Sequence, residues 1–291
     1  MSLFRDHLLK LEPGADFTES LPRITSSSGR VYYAKFSASE AETEQFIGEA
    51  ESLKHIAIAA PNLAPHLLSS GSTGDGRHFF IADYLEFTSL KGAASRKLAQ
   101  RLALELHAHK SENGFGFAVP TYCGRTRLQN GWFESWQACF AAQTRDLLSQ
   151  LSQKGANYAR LVRKGEEVCS EVIPQLLGPL EVSPVLLHGD LWSGNVGETS
   201  TGDPVIFDPA SYYGHNEADL AIARIFGGSS KGFFETYHRH LPKTEPVAQY
   251  ELRAHLYELF HYLNHTLLFG GYYASTAEQK MDLLLGANLD L

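Results

Sequence analysis

Two apolar triplets, Val185-Leu186-Leu187 and Val205-Ile206-Phe207, each run straight into acidic residues, and this arrangement constrains the chain more than any other. The first leads into His188-Gly189-Asp190-Leu191-Trp192-Ser193-Gly194-Asn195, the second into Asp208. Short, continuously apolar segments read as buried strands, so the acids at their ends are expected at the rim of a packed core. Asn195 follows Asp190 by five positions, and Asp208 follows Asn195 by thirteen. Between the last two, Val196-Gly197-Glu198 and Val205-Ile206-Phe207 flank the turn-rich Thr199-Ser200-Thr201-Gly202-Asp203-Pro204. That pattern predicts an antiparallel hairpin; pairing Val196 with Phe207 sets Asn195 opposite Asp208. Turns attract single Asp and Asn residues, but three at these separations, each after an apolar run, ask for a chemical reason.

An amide oxygen and a carboxylate at one end of a hairpin are hard oxygen ligands, suited to magnesium carrying nucleotide phosphates. Asp190, across a tight loop from Asn195, is placed to accept a proton from a substrate hydroxyl. A second constellation lies earlier. Lys35 alternates with Val31 and Tyr33 on one face of an expected strand, and Glu49 sits on a helical apolar stripe formed by Phe46, Ala50, Leu53 and Ala57. An unpaired carboxylate on a buried face costs several kcal/mol, so Glu49 needs a cation. Lys35 is the candidate, and such a pair can hold an ammonium against the α- and β-phosphates of ATP. The plainer alternative is a helix salt bridge from Glu49 to Lys54.

Around these sites the patterning changes once. Residues 2–11 read as a short amphipathic helix, 16–36 as strand ending in Val31–Phe36, and 65–71 and 78–84 as two more strands about the turn region from Gly71 to Gly76. Ser39 and Glu42 suggest a capping box opening the helix that carries Glu49. Beyond Glu86 helical periodicity takes over, at 95–110, 133–176, 217–240 and 246–269, with strand signals only at 185–187, 196–198 and 205–207. The expectation is an α+β protein of two lobes: a small antiparallel sheet with one main helix in residues 1–85, and a larger, mostly helical lobe in 86–291, hinged near 83–88. With 43% hydrophobic residues the chain can bury the core this requires. A net charge of −8 argues against a broad nucleic-acid surface. No apolar run is long enough to span a membrane, and the N-terminus lacks a signal-peptide pattern. Cys123, Cys139 and Cys169 leave one thiol over in any pairing, which suggests reduced thiols and a cytoplasmic setting.

Lys35, Glu49, Asp190, Asn195 and Asp208 stand in the order of the protein-kinase signature, with His-Gly-Asp where protein kinases have His-Arg-Asp and Asp-Pro-Ala where they have Asp-Phe-Gly. The motif His-Gly-Asp-x-x-x-x-Asn resembles the aminoglycoside- and choline-kinase-like branch of that superfamily. The fuller text, Leu187 to Asn195 followed by Asp208-Pro209-Ala210-Ser211-Tyr212-Tyr213-Gly214-His215-Asn216-Glu217, resembles the fructosamine kinase (ketosamine-3-kinase) family. Gly114 to Phe117, Cys123-Gly124, Asn130 to Trp136, Phe226-Gly227-Gly228 and Tyr262 to His265 extend the resemblance over about residues 28–270.

The resemblance implies a protein-kinase-like fold and an enzyme that phosphorylates the 3-hydroxyl of ketosamines with ATP and magnesium. Its acceptor is a small ketosamine or a glycated protein, and the product breaks down to free the amine. It implies Asp190 as base, Asn195 and Asp208 as metal ligands and Lys35 with Glu49 as phosphate clamp. Backbone at Asp83 and Leu85 would meet adenine, and Trp192 and His215, with Glu217 nearby, would lie on the substrate side. Asp219 is expected to anchor the catalytic loop by accepting backbone hydrogen bonds. The family's glycine-rich nucleotide-covering loop is matched here only by Asp16-Phe17-Thr18-Glu19-Ser20-Leu21-Pro22, which has neither glycine nor cysteine, so no redox-linked dimer through it is expected. Which ketosamine is preferred, and whether the chain is monomer or dimer, stay open. An aminoglycoside- or choline-type phosphotransferase and a catalytically silent kinase-like binding protein are the rival readings. His261 and His265, four apart, lack a third metal ligand and read as packing residues, as do His107, His109, His238 and His240; Trp132 and Trp136 could shape an acceptor pocket or pack between helices.

Overall fold

A computed structural model describes residues 4–74, 76–227 and 231–289. Ser2 and Leu3 of the expected first helix, Asp75 of the expected turn and Gly228 therefore lie outside the described residues. Helix α1 (Arg5–Leu11) precedes strands β1 (Phe17–Ser20), β2 (Arg23–Ser26) and β3 (Val31–Phe36), helix α2 (Thr43–Ala59), and strands β4 (Leu67–Ser72) and β5 (His78–Asp83). These strands form one antiparallel sheet in the order β1-β2-β3-β5-β4. Alternation explains how it is covered on both sides. Tyr32 and Ala34 of β3 and Phe79 and Ile81 of β5 pack with Phe4 and Leu8 of the N-terminal segment, while Phe80 and Ala82 pack with Phe46, Ala50 and Leu53 of α2.

The capping box does not form. Residues 40–42 make a 3-10 turn, Ser39 caps nothing with its side chain, and Glu42 instead accepts the Ala38 N–H at 2.8 Å. The α-helix consequently starts at Thr43 and continues for 17 residues, which brings Glu49 under the sheet.

Past the sheet, β6 (Phe87–Ser89) leads into α3 (Gly92–Leu104), the short hairpin β7 (Tyr122–Cys123) and β8 (Thr126–Arg127), and α4 (Trp136–Gln153). Helix α5 (Ala159–Glu167), a π-helical turn at 168–172 and α6 (Ile173–Leu177) complete the stretch expected as helix from 133 to 176. Strand β9 (Val185–Leu187) comes next, then β10 (Val196–Thr199), β11 (Pro204–Ile206), β12 (Tyr212–Gly214), and helices α7 (Asn216–Ile225), α8 (Lys231–His240), α9 (Tyr250–Phe269) and α10 (Tyr272–Leu285). Strands β6, β7, β8 and β12, and helix α10, carry too few residues or too little periodicity to be foreseen. The 20-residue α9 is the axis of this half, burying Leu256, Tyr257, Leu259, Phe260 and Leu263.

The β10–β11 hairpin forms in a different register from the expected one. Val196 pairs with Ile206, and the Phe207 N–H donates to the Asn195 carbonyl at 3.0 Å. The turn closes one residue earlier than expected, through Thr199 N–H to Asp203 O at 2.9 Å, with Gly202 in the left-handed region. Asn195 thus faces Phe207, and Asp208 lies one step beyond the pairing. Strand β6, which begins within the expected hinge at 83–88, pairs with β10 and fastens the connection to this hairpin.

Candidate active site

Strand β9 delivers His188 into the core, and Asp219, in the first turn of α7, receives it. The Asp219 carboxylate accepts the N–H groups of His188 and Gly189, both at 2.8 Å, and His107 Nε2 at 3.1 Å. Burial alone would raise its pKa, but His107, His188 and these hydrogen bonds outweigh it and hold the carboxyl below its ordinary range. Gly189 is required where it stands. Its φ is +85°, and a Cβ there would sit 2.1 Å from the Ala210 carbonyl oxygen. The expectation that Asp219 anchors this loop agrees with the geometry.

The loop beyond turns on His188. The Asp190 N–H donates to His188 Nδ1 at 3.2 Å, and His188 Nε2 lies 3.0 Å from the carbonyl oxygen of Phe207. Together these fix a neutral imidazole with its proton on Nε2, and burial lowers its pKa accordingly. One ring therefore ties the Asp190 loop to the residue before Asp208. Asn195 closes the loop, donating from Nδ2 to the Asp190 carbonyl at 2.8 Å and to Asp190 Oδ2 at 3.1 Å. Cys123 Sγ approaches the other carboxylate oxygen at 3.7 Å. Burial pushes the Asp190 carboxyl up to about 6, against the lowering effect of Cys123 and Asn195 and with help from Asp219 and Asp208. A carboxylate tuned toward neutrality and facing a cavity can take a proton from a hydroxyl.

Asp208 has φ +51°, a left-handed backbone that non-glycine residues rarely adopt. That turn sends its carboxylate out of the hairpin and within 3.6 Å of Lys35 Nζ. Lys35 also donates to both Glu49 oxygens, at 3.0 and 2.8 Å, so the expected Lys35–Glu49 pair is present and Lys54 pairs with Glu51 instead. Burial disfavours the lysine's charge, yet the Glu49 and Asp208 carboxylates overcome it and raise its pKa. Burial also raises the pKa of Glu49, opposed by Lys35.

Two cavities meet at these side chains. The larger, about 360 Å³, is apolar and is bounded by Pro22, Tyr33, Ala82, Leu85, Phe87 and Phe207, with Asp83 at its wall and Glu49 and Asp208 at its inner end. The Leu85 N–H and C=O have no hydrogen-bond partner among the described residues, whereas the Asp83 N–H is used by the His66 carbonyl at 3.1 Å. The smaller, about 200 Å³, is polar and contains Lys35, Glu49, Asp190, Asn195 and Asp208 beside Trp192. Asn195 Oδ1 has no partner among the described residues, so it and the Asp208 carboxylate offer an all-oxygen donor pair that fits a magnesium ion completed by phosphates and water.

His215 does not join them. It is 1% exposed, with Nδ1 against Tyr257 Oη and Nε2 against Thr244 Oγ1, both at 2.8 Å. Burial pushes its pKa down to about 4, so it is a neutral core residue. Glu217 is likewise turned inward, in a buried two-point pair with Arg253 at 2.7 and 3.0 Å. Trp136 is buried and donates to Tyr257, while Trp132 stays partly exposed. His261 is buried, burial pushing its pKa to about 3. Spacing alone gave no sign of the contacts made by Cys123, Tyr122, Gln45 or His107, whose segments reach the site only through tertiary folding.

The family model for fructosamine kinase matches residues 18–287. The chain belongs to the fructosamine kinase family. Similar proteins include a ketosamine-3-kinase of Mus musculus, 35% identical over 280 residues with 87% of each chain covered. A chloroplastic protein-ribulosamine 3-kinase of Arabidopsis thaliana is 36% identical over 242 residues, covering 81% of this chain and 71% of that one. Among solved structures, a protein assigned as a fructosamine-3-kinase from Thermobifida fusca superposes with a TM-score of 0.79 at 24% identity, covering 94% of both chains. A thermostable mutant of aminoglycoside phosphotransferase APH(4)-Ia superposes with a TM-score of 0.61 at 16% identity, covering 98% of both. The fold is thus the α+β, kinase-like fold, and this fructosamine kinase family member is an ATP-dependent phosphotransferase acting on a hydroxyl group.

Proposed function

We propose that this chain transfers the γ-phosphoryl group of ATP to the 3-hydroxyl of a ketosamine, a ribulose- or fructose-derived sugar joined to an amine. The observation that carries the reading is the meeting of Asp190, Lys35, Asn195 and Asp208 around one small cavity, in a chain whose relatives are named ketosamine and ribulosamine kinases. Adenine occupies the apolar cavity between the lobes 1–85 and 86–291, against the backbone at Asp83 and Leu85. Lys35, steadied by Glu49, holds the α- and β-phosphates. Asn195 and Asp208 hold magnesium, which when bound neutralises charge on the transferred group. Asp190 orients the sugar hydroxyl and takes its proton as the oxygen attacks phosphorus, and ADP leaves. Trp192 gives the sugar or its amine a flat apolar platform. The product then breaks down and releases the amine, a deglycation activity, and three buried free thiols suit a reducing, cytoplasmic setting.

The test is a screen of ATP consumption over ribulosamine, fructosamine, aminoglycoside and choline acceptors, with the new phosphate located by phosphorus NMR. Turnover of a ketosamine with phosphate on O3 is expected, and Asp190→Asn should abolish it while ATP still binds. Turnover confined to an aminoglycoside or choline would replace this reading, and absence of magnesium-nucleotide binding would make the chain a silent binding module.

A further inference from the structure

Strand β2 carries a cation on the side of the sheet that faces the apolar cavity. Ile24 and Ser26 of this strand are buried, Ile24 in one cluster with Phe4, Leu8 and Tyr32, so Arg23 and Thr25 project from the opposite face. Arg23 lies directly across from Tyr33 of β3, and residues paired in an antiparallel ladder project to the same side. Tyr33 lines the apolar cavity, as does Pro22, the residue before Arg23. Tyr84 lines it too, and the centre of its ring stands 5.4 Å from the Arg23 guanidinium. Three neighbours of Arg23 thus belong to the wall of one cavity.

The guanidinium is uncommitted. Arg23 is exposed, and among the described residues no carboxylate pairs with it and no acceptor takes a hydrogen bond from its side chain. Arg30, by contrast, is drawn to Asp83 at 3.7 Å, and Lys35 to Glu49 and Asp208. We propose that Arg23 is a nucleotide-binding residue, whose guanidinium stacks on the purine and closes the apolar cavity from the side of the sheet. This rests on adenine occupying that cavity, as proposed above, and on no particular acceptor.

Its position favours the base over the phosphates. Lys35 is two residues beyond Tyr33 on the same face of β3, about 7 Å along the strand. Arg23 leans the other way, to Tyr84, which follows the end of β5 where Asp83 pairs with Tyr32. A guanidinium is planar, weakly hydrated and stacks on aromatic faces, and this one already lies over the Tyr84 ring. The turn before it has little to give a phosphate. Pro22 has no N–H, its carbonyl accepts the Ala34 N–H at 2.8 Å, and residues 16–22 contain no glycine to bring other amides close. A contact to the base supplies affinity that such amides would otherwise give.

The experiment titrates wild type, Arg23→Ala and Arg163→Ala with adenosine, magnesium-ADP and magnesium-ATP by calorimetry. Arg163 is an exposed arginine on α5 and serves as the control for loss of a surface charge. Adenosine is uncharged, so its affinity reads contact with the nucleoside and not general attraction to phosphate. In Arg23→Ala the dissociation constants of all three ligands should rise by the same factor, about fivefold. The kcat, and the acceptor KM at saturating ATP, should not change, and Arg163→Ala should match wild type. Unchanged affinities in Arg23→Ala, a loss confined to ADP and ATP, or an equal loss in Arg163→Ala would each overturn the stacking role while leaving adenine in its cavity. A wild-type protein that binds none of the three ligands overturns the cavity assignment as well.

Discussion

Replacing Asp219 by asparagine tests whether the catalytic loop is positioned by this one carboxylate. Its Oδ2 serves His188 N–H and His107 Nε2, and its Oδ1 serves Gly189 N–H. Asparagine keeps the shape but has only one acceptor oxygen. If the amide nitrogen takes the Oδ2 position, two buried partners are lost; if it takes the Oδ1 position, Gly189 N–H faces another donor. The second arrangement is the cheaper. It forfeits one charge-assisted bond and weakens two others, about 3 kcal/mol in all when bonds to a charged acceptor contribute roughly 1.5–3 kcal/mol each. The strain is delivered to His188 and Gly189, directly before Asp190, and a shift of the base by about 1 Å can cost roughly a hundredfold in rate. Urea unfolding should therefore show a stability loss near 3 kcal/mol, and kcat per folded molecule should fall by about a hundredfold. Leu148→Ala separates the two effects. That leucine is fully buried in α4, away from the loop, and its truncation should cost about 2–5 kcal/mol without lowering kcat per folded molecule. A wild-type kcat in Asp219→Asn, or a loss no larger than in Leu148→Ala, would refute the positioning role.

Asp190, with its carboxyl pushed up to about 6 by burial, must be charged to accept a proton, so kcat/KM should be flat above that pH and fall roughly tenfold per unit below it. A profile that stays flat down to the ordinary carboxylate range would remove Asp190 as base. Glu49→Gln weakens the hold on Lys35, whose Nζ now has two bonds to Glu49 and lies 3.6 Å from Asp208. The ATP KM should rise by about tenfold, or ~1.4 kcal/mol, with acceptor KM unchanged; an unaltered ATP KM in steady-state assays would count against the phosphate clamp. Gly189→Ala places a Cβ 2.1 Å from the Ala210 carbonyl at a φ of +85°, so stability measured by urea midpoint should fall by about 1–3 kcal/mol and activity with it.

What the sequence made legible was governed by short-range rules. The apolar stripe of α2 and the alternation in β3 place Glu49 and Lys35 on facing surfaces, and their pairing follows because a buried carboxylate needs a cation. The strand–loop–hairpin text around Asp190 and Asn195 is local for the same reason. The hairpin register was missed by one residue because turn closure at Thr199 and Asp203, and not the apolar pattern, sets it. That slip matters chemically: it leaves Asp208 outside the ladder, free to take the left-handed turn that aims it at Lys35.

His215 shows where motif proximity fails. It stands seven residues after Asp208, yet β12 carries it away from the cleft and under α9, where Tyr257 and Thr244 satisfy both nitrogens. Conversely, one wall of the smaller cavity is assembled from Gln45 on α2, Tyr122 and Gly124 of the β7–β8 hairpin, and Trp192 of the loop after β9. Gln45 donates to the Gly124 carbonyl at 3.0 Å, and Glu44 accepts from Tyr122 and Arg127. The helix that presents Glu49 to Lys35 is therefore also the support of the turn that brings Cys123 to Asp190. The Lys35–Glu49 pair and the Asp190 loop are mechanically one assembly, joined by contacts whose partners lie 67 to 83 residues apart in the chain, and pairings at that range leave no periodicity for a sequence to display.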